Sequence, residues 1–289
     1  MMKRNEMAKA IRGGKCLWSA GCHDVLSAKL VEAAGFDVVL TSGFGISASL
    51  LGQPDVEVYS MTENLGVLRN VVHAVDIPVI ADADTGYGNA INVMRTVREF
   101  EQTGAAALII EDQVMPKRCP AIATELELIT IAEGVSKIRA AVAARRDQDL
   151  LIIGRTDADT KEESIERAQA YAEAGADMIQ PISAGYKTLD DLYDLKKACG
   201  VPLSLQIMRW LESDLSGDEL EGVAGIAHFP LVSLLSATQA MESALSRVRE
   251  ARTTRVLGEA DQKSLQDFKN FIGFPEVMRL QQEFMKDLA

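Results

Sequence analysis

The chain has 289 residues, 47% of them hydrophobic and 25% charged, an ordinary globular balance that excludes a disordered protein. Its formal net charge of −12 argues against nucleic acid as a partner, because nothing offsets phosphate repulsion globally, whereas an acidic small molecule feels only the local field. The basic start "MMKRNEMAKAIRGGK" leads into no apolar signal core, and no run approaches the roughly 18–20 apolar residues of a membrane span, so a cytoplasmic protein is expected.

Short β-like runs alternate with amphipathic helical stretches along the chain. "CLWSAGC" from Cys16 precedes the helical "DVLSAKLVEAAGF", and "DVVLTSG" from Asp37 precedes a Gly/Ser-rich loop and "MTENLGVLRNVVHAVD". "PVIADAD" from Pro78 leads to "INVMRTVREFEQTG", and "AALIIED" from Ala106 leads, after an irregular segment, to "IAEGVSKIRAAVAARR". "LLIIGRTDA" from Leu150 precedes "KEESIERAQAYAEAG", and "ADMIQPI" precedes "TLDDLYDLKKACG". "PLSLQI" precedes "SGDELEGVA", and "GIAHFPL" precedes the long "VSLLSATQAMESALSRVREARTTR". Glycines at 35, 104, 175 and 200 stand where helices end in a left-handed residue. Strands this continuously apolar belong to a parallel sheet covered on both faces. Eight strand–helix units in a chain of this length predict an α/β fold, a closed (β/α)8 or TIM barrel. Residues 1–289 are read as a single barrel domain, with about 255–289 as a C-terminal helical extension. The apolar face of that extension needs cover, and a neighbouring subunit can supply it. The four cysteines, Cys16, Cys22, Cys119 and Cys199, show no paired spacing and read as free thiols.

Reactive groups of a parallel barrel gather at the C-terminal ends of its strands. Those ends carry Thr41-Ser42-Gly43, Asp82 and Asp84, Glu111 and Asp112, Arg155 and Asp157, and His228. Asp82 and Asp84 are spaced i, i+2, which on an extended strand puts both on one face, where Glu111 of the next strand can join them. Three carboxylates at one rim repel each other unless a cation sits between them, and hard oxygen donors suit Mg²⁺ or Mn²⁺. Arg155 follows a buried run, and its planar fork fits bidentate capture of a carboxylate. "TSGFG", with Ser42, Gly43 and Phe44, offers a hydroxyl and backbone N–H groups as an oxyanion cradle. In "IIEDQVMPKRCPAIATEL" the thiol of Cys119 follows Lys117 and Arg118, and neighbouring cations lower a thiol's pKa until it can move protons at carbon.

"PVIADADTGYGNAINVMRTVREFE", "IIEDQVMPKRC", "KIRAAVAAR", "IIGRTDA" and "AGFDVVLTSGFGISASLLGQPD" resemble the isocitrate lyase/phosphoenolpyruvate mutase superfamily over nearly the whole chain. Within it the chain is most similar to the branch of 2-methylisocitrate lyase, 2,3-dimethylmalate lyase and carboxyphosphonoenolpyruvate mutase. The resemblance implies a barrel whose last helix is swapped between subunits of a homotetramer, a dimer of dimers. It implies Mg²⁺ at Asp82, Asp84 and Glu111, with Asp55 assisting through water. It also implies a small carboxylic acid substrate against Ser42-Gly43, with its carboxylate on Arg155. Carbon–carbon lyases of the superfamily have Lys-Arg-Cys-Gly-His in the loop after the fourth strand, where the cysteine protonates the departing carbon. This chain reads Lys117-Arg118-Cys119-Pro120-Ala121. It also has Ile182 where those lyases have a glutamate, and Gln206 and Met208 in place of an Asn-x-Thr/Ser pair. The second-carboxylate pocket is therefore rebuilt, and its remaining polar candidates are Gln206 as a hydrogen-bond donor, Arg209 supplying charge from a different angle, and His228. The expected function is a Mg²⁺-dependent lyase cleaving a C–C bond of a 2-hydroxy or 2-oxo acid through a metal-bound enolate, with Cys119, Lys117 and Arg155 catalytic. The alternatives are a phosphonopyruvate- or PEP-mutase-type C–P enzyme and a barrel that binds an acid without turning it over.

Overall fold

In the computed structural model of this protein, which describes residues 4–118, 126–182 and 185–285, eight parallel strands close on themselves in chain order. They are β1 (Leu17–Cys22), β2 (Val38–Thr41), β3 (Val79–Asp82) and β4 (Ala107–Glu111), followed by β5 (Leu151–Thr156), β6 (Met178–Pro181), β7 (Leu203–Gln206) and β8 (Ala224–Phe229). Closure comes from β1 pairing with β8, Leu17 opposite Ile226. The helices in order are α1 (Arg4–Arg12), α2 (Val25–Ala33), the short α3 (Gly43–Ile46), α4 (Met61–Ala74) and α5 (Ala90–Thr103). Then come α6 (Ile131–Ala144), α7 (Lys161–Glu173), α8 (Leu189–Cys199), α9 (Trp210–Asp214) and α10 (Gly217–Val223). The last three are α11 (Val232–Ala251), α12 (Leu265–Phe271) and α13 (Phe274–Phe284). Local chemistry fixes their ends. Asn89 accepts from Ile91 N and Asn92 N to start α5, and Gly104 at φ +102° ends it.

Strand parity decides which side chains enter the barrel. Val39, Ala81, Leu108, Ile110 and Ile152 pack outward with the helices in one apolar cluster. Their neighbours Leu17, Val38, Leu40, Ile80, Ile109, Leu151 and Ile153 pack inward in a second cluster, which Met7 and Ile11 of α1 complete. Because side chains alternate along a strand, the inward set continues upward from Leu40 to Ser42, Ile80 to Asp82, Ile109 to Glu111 and Ile153 to Arg155. Glu111 and Arg155 are register partners on adjacent strands.

The chain divides into two compact units, residues 1–234 and 235–289. The first holds the barrel. In the second, Arg247 pairs with Asp261 at 2.6 Å, and Arg279 bridges Glu276 and Glu283, each at 2.7 Å. Leu265, Phe274, Met278 and Phe284 of this unit are exposed.

Candidate active site

Above the inward apolar cluster lies a layer of neutral polar side chains. Ser19, Gln180, Ser204 and His228 have no exposed surface. Ser204 Oγ donates to Gln180 Oε1 at 2.9 Å and lies 2.8 Å from His228 Nε2. A hydroxyl has one proton to give, so with it on Gln180 the imidazole donates from Nε2. Burial pushes the His228 pKa down to about 3, which keeps the ring neutral. His228, expected beside the substrate, therefore sits within the barrel wall, and other residues line the cavity above.

That cavity, about 100 Å³, opens at the C-terminal ends of the strands. Its polar wall is Ser42, Asp55, Asp82, Arg155, Gln206 and Arg209, and its apolar wall includes Leu40, Phe44, Ile182, Met208 and Pro230. Beneath and beside it is an ionic cluster. Arg155 reaches Glu111 Oε2 through Nη1 at 2.8 Å and grips Asp157 through Nε and Nη2, both at 2.9 Å. Lys117 Nζ lies 2.5 Å from Asp84 Oδ1, 3.1 Å from Asp55 Oδ1 and 3.9 Å from Glu111 Oε1. Asp84 Oδ2 accepts from Tyr59 Oη at 2.7 Å and from Tyr87 Oη at 2.9 Å.

Asp82 and Asp84 come together by a different route from the one expected. The strand ends at Asp82, and Asp84 follows in a turn at φ +48°, its N–H donating to Asp82 Oδ1 at 3.1 Å. The pair is thus held by a left-handed turn rather than by strand alternation. Ser42 meets the expectation in part: its N–H donates to the Cys22 carbonyl at 2.9 Å and so is spent, whereas its Oγ accepts from Gly45 N at 3.3 Å and keeps its own proton to donate at the cavity it lines. The N–H groups that follow, from Gly43 on, belong to the first turn of α3. Gly43 allows the closest approach: a Cβ there would lie 2.8 Å from Tyr59 Oη and 3.0 Å from Asp82 Oδ2. Cys119 lies outside the described residues.

Five carboxylates (Asp55, Asp82, Asp84, Glu111 and Asp157) face two cations here, all of them buried. Burial, reinforced by Asp84, pushes Asp82 up to about 6, and burial drives Glu111 well above the usual carboxylate range against the pull of Arg155 and Lys117. Burial alone would discharge Lys117, but Asp84, Glu111, Asp82 and Asp55 together hold it well above an ordinary lysine. The directions agree: the cations stay charged and the surplus of acid is what remains uncompensated. Among the described residues no three acid, imidazole or thiol groups are spaced to hold one metal. A surplus of hard oxygens with a few of them near water fits Mg²⁺, which takes one or two carboxylates directly and keeps its waters.

Sequence reasoning missed Tyr59, Glu57 and Gln113. Tyr59 and Glu57 sit in the irregular stretch between β2 and β3, where no period marks them. Gln113 continues the inward parity of Ile109 and Glu111, a signal that was present.

The phosphoenolpyruvate phosphomutase family model matches residues 8–250. The chain belongs to that family. It is 37% identical over 284 residues to the 2,3-dimethylmalate lyase of Eubacterium barkeri, covering 96% of this chain and 97% of the relative. It is 36% identical over 263 residues to an oxaloacetate decarboxylase of Rhodopseudomonas palustris (strain BisA53), covering 88% of each. Its fold matches a phosphonopyruvate hydrolase solved with oxalate and Mg²⁺, with a TM-score of 0.87 at 32% identity, over 98% of this chain and all of that one. The superfamily resemblance and the closed barrel read from the sequence both hold. Among the described residues no helix is long and apolar enough to cross a membrane.

Proposed function

We propose that this member of the phosphomutase family is a Mg²⁺-dependent carbon–carbon lyase acting on a 2-hydroxy or 2-oxo carboxylic acid. The observation that carries this reading is the buried excess of carboxylate around Arg155 and Lys117 beneath a cavity. Held by one or two of Asp82, Asp84 and Glu111, with Asp55 assisting through water, a divalent cation would neutralise that excess and draw negative charge from the substrate oxygen.

The remaining roles follow from the chain's own groups. Arg155, fixed in plane by Asp157, takes the substrate's 1-carboxylate from the cavity floor. Asp55 accepts the hydroxyl proton as the C–C electron pair moves to the departing carbon and the C–O bond becomes a carbonyl. Lys117 stays charged and stabilises the developing oxyanion. Cys119 returns a proton to the departing carbon. For a 2-oxo acid the same groups serve loss of CO₂, with the proton delivered to the enolate carbon. His228, neutral and in the wall, supports the strands in this scheme and transfers no proton. Ile182 and Met208 line the cavity together with Gln206 and Arg209, a mixed wall that suits a distal group part alkyl and part polar. We read the chain as one barrel domain with a helical extension, working in the cytoplasm as a homotetramer. The exposed Phe274, Met278 and Phe284 support assembly, since a lone chain leaves them in water.

The test is a panel of 2-methylisocitrate, 2,3-dimethylmalate, citramalate, oxaloacetate and phosphonopyruvate, with Mg²⁺ or with chelator. The 2-oxo acid is followed by NADH-coupled reduction, and a Cys119→Ser variant is run alongside. Mg²⁺-dependent cleavage of a hydroxy acid, lost in the variant, is the expected result. Turnover of oxaloacetate alone, unchanged in the variant, narrows the activity to decarboxylation without the thiol. Phosphate or phosphoenolpyruvate from phosphonopyruvate alone replaces this reading with the C–P one.

A further inference from the structure

Gln113 has no catalytic chemistry of its own, yet it is 1% exposed and both ends of its amide are engaged. Its Nε2 donates to Asp157 Oδ2 at 2.5 Å, and its Oε1 accepts from the backbone N–H of Arg118 at 2.9 Å. The two partners fix the amide's orientation, because a carboxylate only accepts and a backbone N–H only donates. The same Asp157 oxygen takes Arg155 Nη2, and Arg155 Nη1 reaches Glu111. One residue earlier, the N–H of Lys117 donates to Glu57 Oε2 at 3.0 Å, and Glu57 Oε1 accepts from Thr85 Oγ1 at 2.6 Å. Two consecutive backbone N–H groups are thus caught by side chains from different parts of the chain. Between them leaves the Lys117 side chain, which ends 2.5 Å from Asp84. The backbone at the foot of this segment is itself pinned, with Val114 N donating to Glu127 O at 2.8 Å and Ile129 N to Asp112 O at 2.9 Å.

We infer that Gln113 is a positioning residue that ties the Lys117–Arg118 backbone to the Asp157–Arg155 pair, so that the cation reaching the acid cluster and the cation receiving the substrate carboxylate are set by one side chain. The inference rests on the roles proposed above for Lys117 and Arg155. Its two hydrogen bonds are chemically separable. Gln113→Lys keeps a donor towards Asp157 and loses the acceptor for Arg118. Gln113→Glu keeps that acceptor and turns a carboxylate on Asp157.

The experiment measures hydrogen exchange of the peptide containing residues 114–118 in the full chain, together with kcat and KM on the acid that the wild type turns over. Losing one hydrogen bond is expected to speed exchange at Arg118 about tenfold in Gln113→Lys. In that variant kcat is expected to fall about tenfold with KM little changed, because Lys117 is displaced and Arg155 is not. Gln113→Glu is expected to keep Arg118 protected and to raise KM about tenfold, because repulsion moves Asp157 and with it Arg155. A residue that merely supports the fold would shift both variants the same way, and that result overturns the inference. Unchanged exchange in Gln113→Lys also overturns it. If the wild type turns over no acid in the panel, the proposed function falls, while the exchange data still decide whether the tie exists.

Discussion

Replacing Lys117 with methionine removes the one ammonium group lying between Asp84, Asp55 and Glu111, at 2.5, 3.1 and 3.9 Å. At an effective dielectric of about 20, each contact near 4 Å is worth about 4 kcal/mol of attraction, against which stands the cost of burying the ammonium, several kcal/mol. Stripping one partner from a buried ion cluster costs about 3–5 kcal/mol, because the charges left behind have lost their compensation. At about 2–4 °C per kcal/mol, that lowers the melting temperature by roughly 10 °C. The deficit depends on pH, with a definite sign. Asp82 already stands at about 6 through burial and Asp84, and Lys117 is what opposes a further rise. A carboxyl whose folded pKa exceeds its unfolded value of about 4 stabilises the fold below that value and loses the contribution as pH rises through the folded pKa. Below about pH 6 Asp82 is protonated in both folded proteins and its contribution cancels between them, so the Lys117→Met deficit grows only as pH rises through about 6 towards the variant's higher folded pKa, and is smaller at pH 5 than at pH 7.5. Calorimetric melts of both proteins at these two pH values check it, with and without Mg²⁺. Mg²⁺ should raise the variant's melting temperature more than the wild type's, since it neutralises the same carboxylates. Equal melting temperatures at pH 7.5, or a deficit that shrinks as pH rises, would refute the reasoning.

Gly43→Ala puts a methyl group 2.8 Å from Tyr59 Oη and 3.0 Å from Asp82 Oδ2, so it should cost about 1–3 kcal/mol in stability. It should lower kcat/KM about tenfold or more, and a fully active, equally stable variant would contradict the crowding seen here. His228, with its pKa pushed down by burial to about 3, should show imidazole NMR signals that do not shift between pH 5 and pH 8. A titration midpoint near 6.5 would show that water reaches the ring.

The barrel was readable because its inward and outward faces are both apolar, so each strand appears as an unbroken run with a helix after it. Parity then carries further than composition: Ile109 to Glu111 and Ile153 to Arg155 already place an acid and a base side by side on neighbouring strands. Asp84 shows where that logic ends. Its approach to Asp82 depends on a residue at φ +48° and on Tyr59 and Tyr87, contacts made across the fold, which no local period encodes. The same holds for Glu57, itself at φ +58°, whose carboxylate joins Thr85 to the Lys117 backbone across 28 and 60 positions of chain. His228 marks a simpler limit. A histidine near a strand end looks reactive in a sequence, but two residues of register separate the wall of a barrel from its mouth.

Read along its axis, the barrel interior changes character in three steps. Met7, Ile11, Ile80 and Ile153 form a dry apolar base, and Ser19, Gln180, Ser204 and His228 form a neutral polar tier. Asp82, Glu111 and Arg155 form the charged tier beside the cavity. The order follows from what burial costs each kind of group. Apolar side chains gain by it, neutral polar groups lose less by it than charges do, and charges tolerate it only with partners. A fold built for stability alone would stop at the second tier, because replacing a buried ion cluster by apolar residues is often neutral or stabilising. Here five carboxylates crowd Lys117 and Arg155 at the C-terminal end of the barrel, beside a cavity that a hydrated divalent cation and an acidic substrate can enter. That uncompensated charge, placed where ligand can relieve it, is the physical reason to assign the chemistry to this rim.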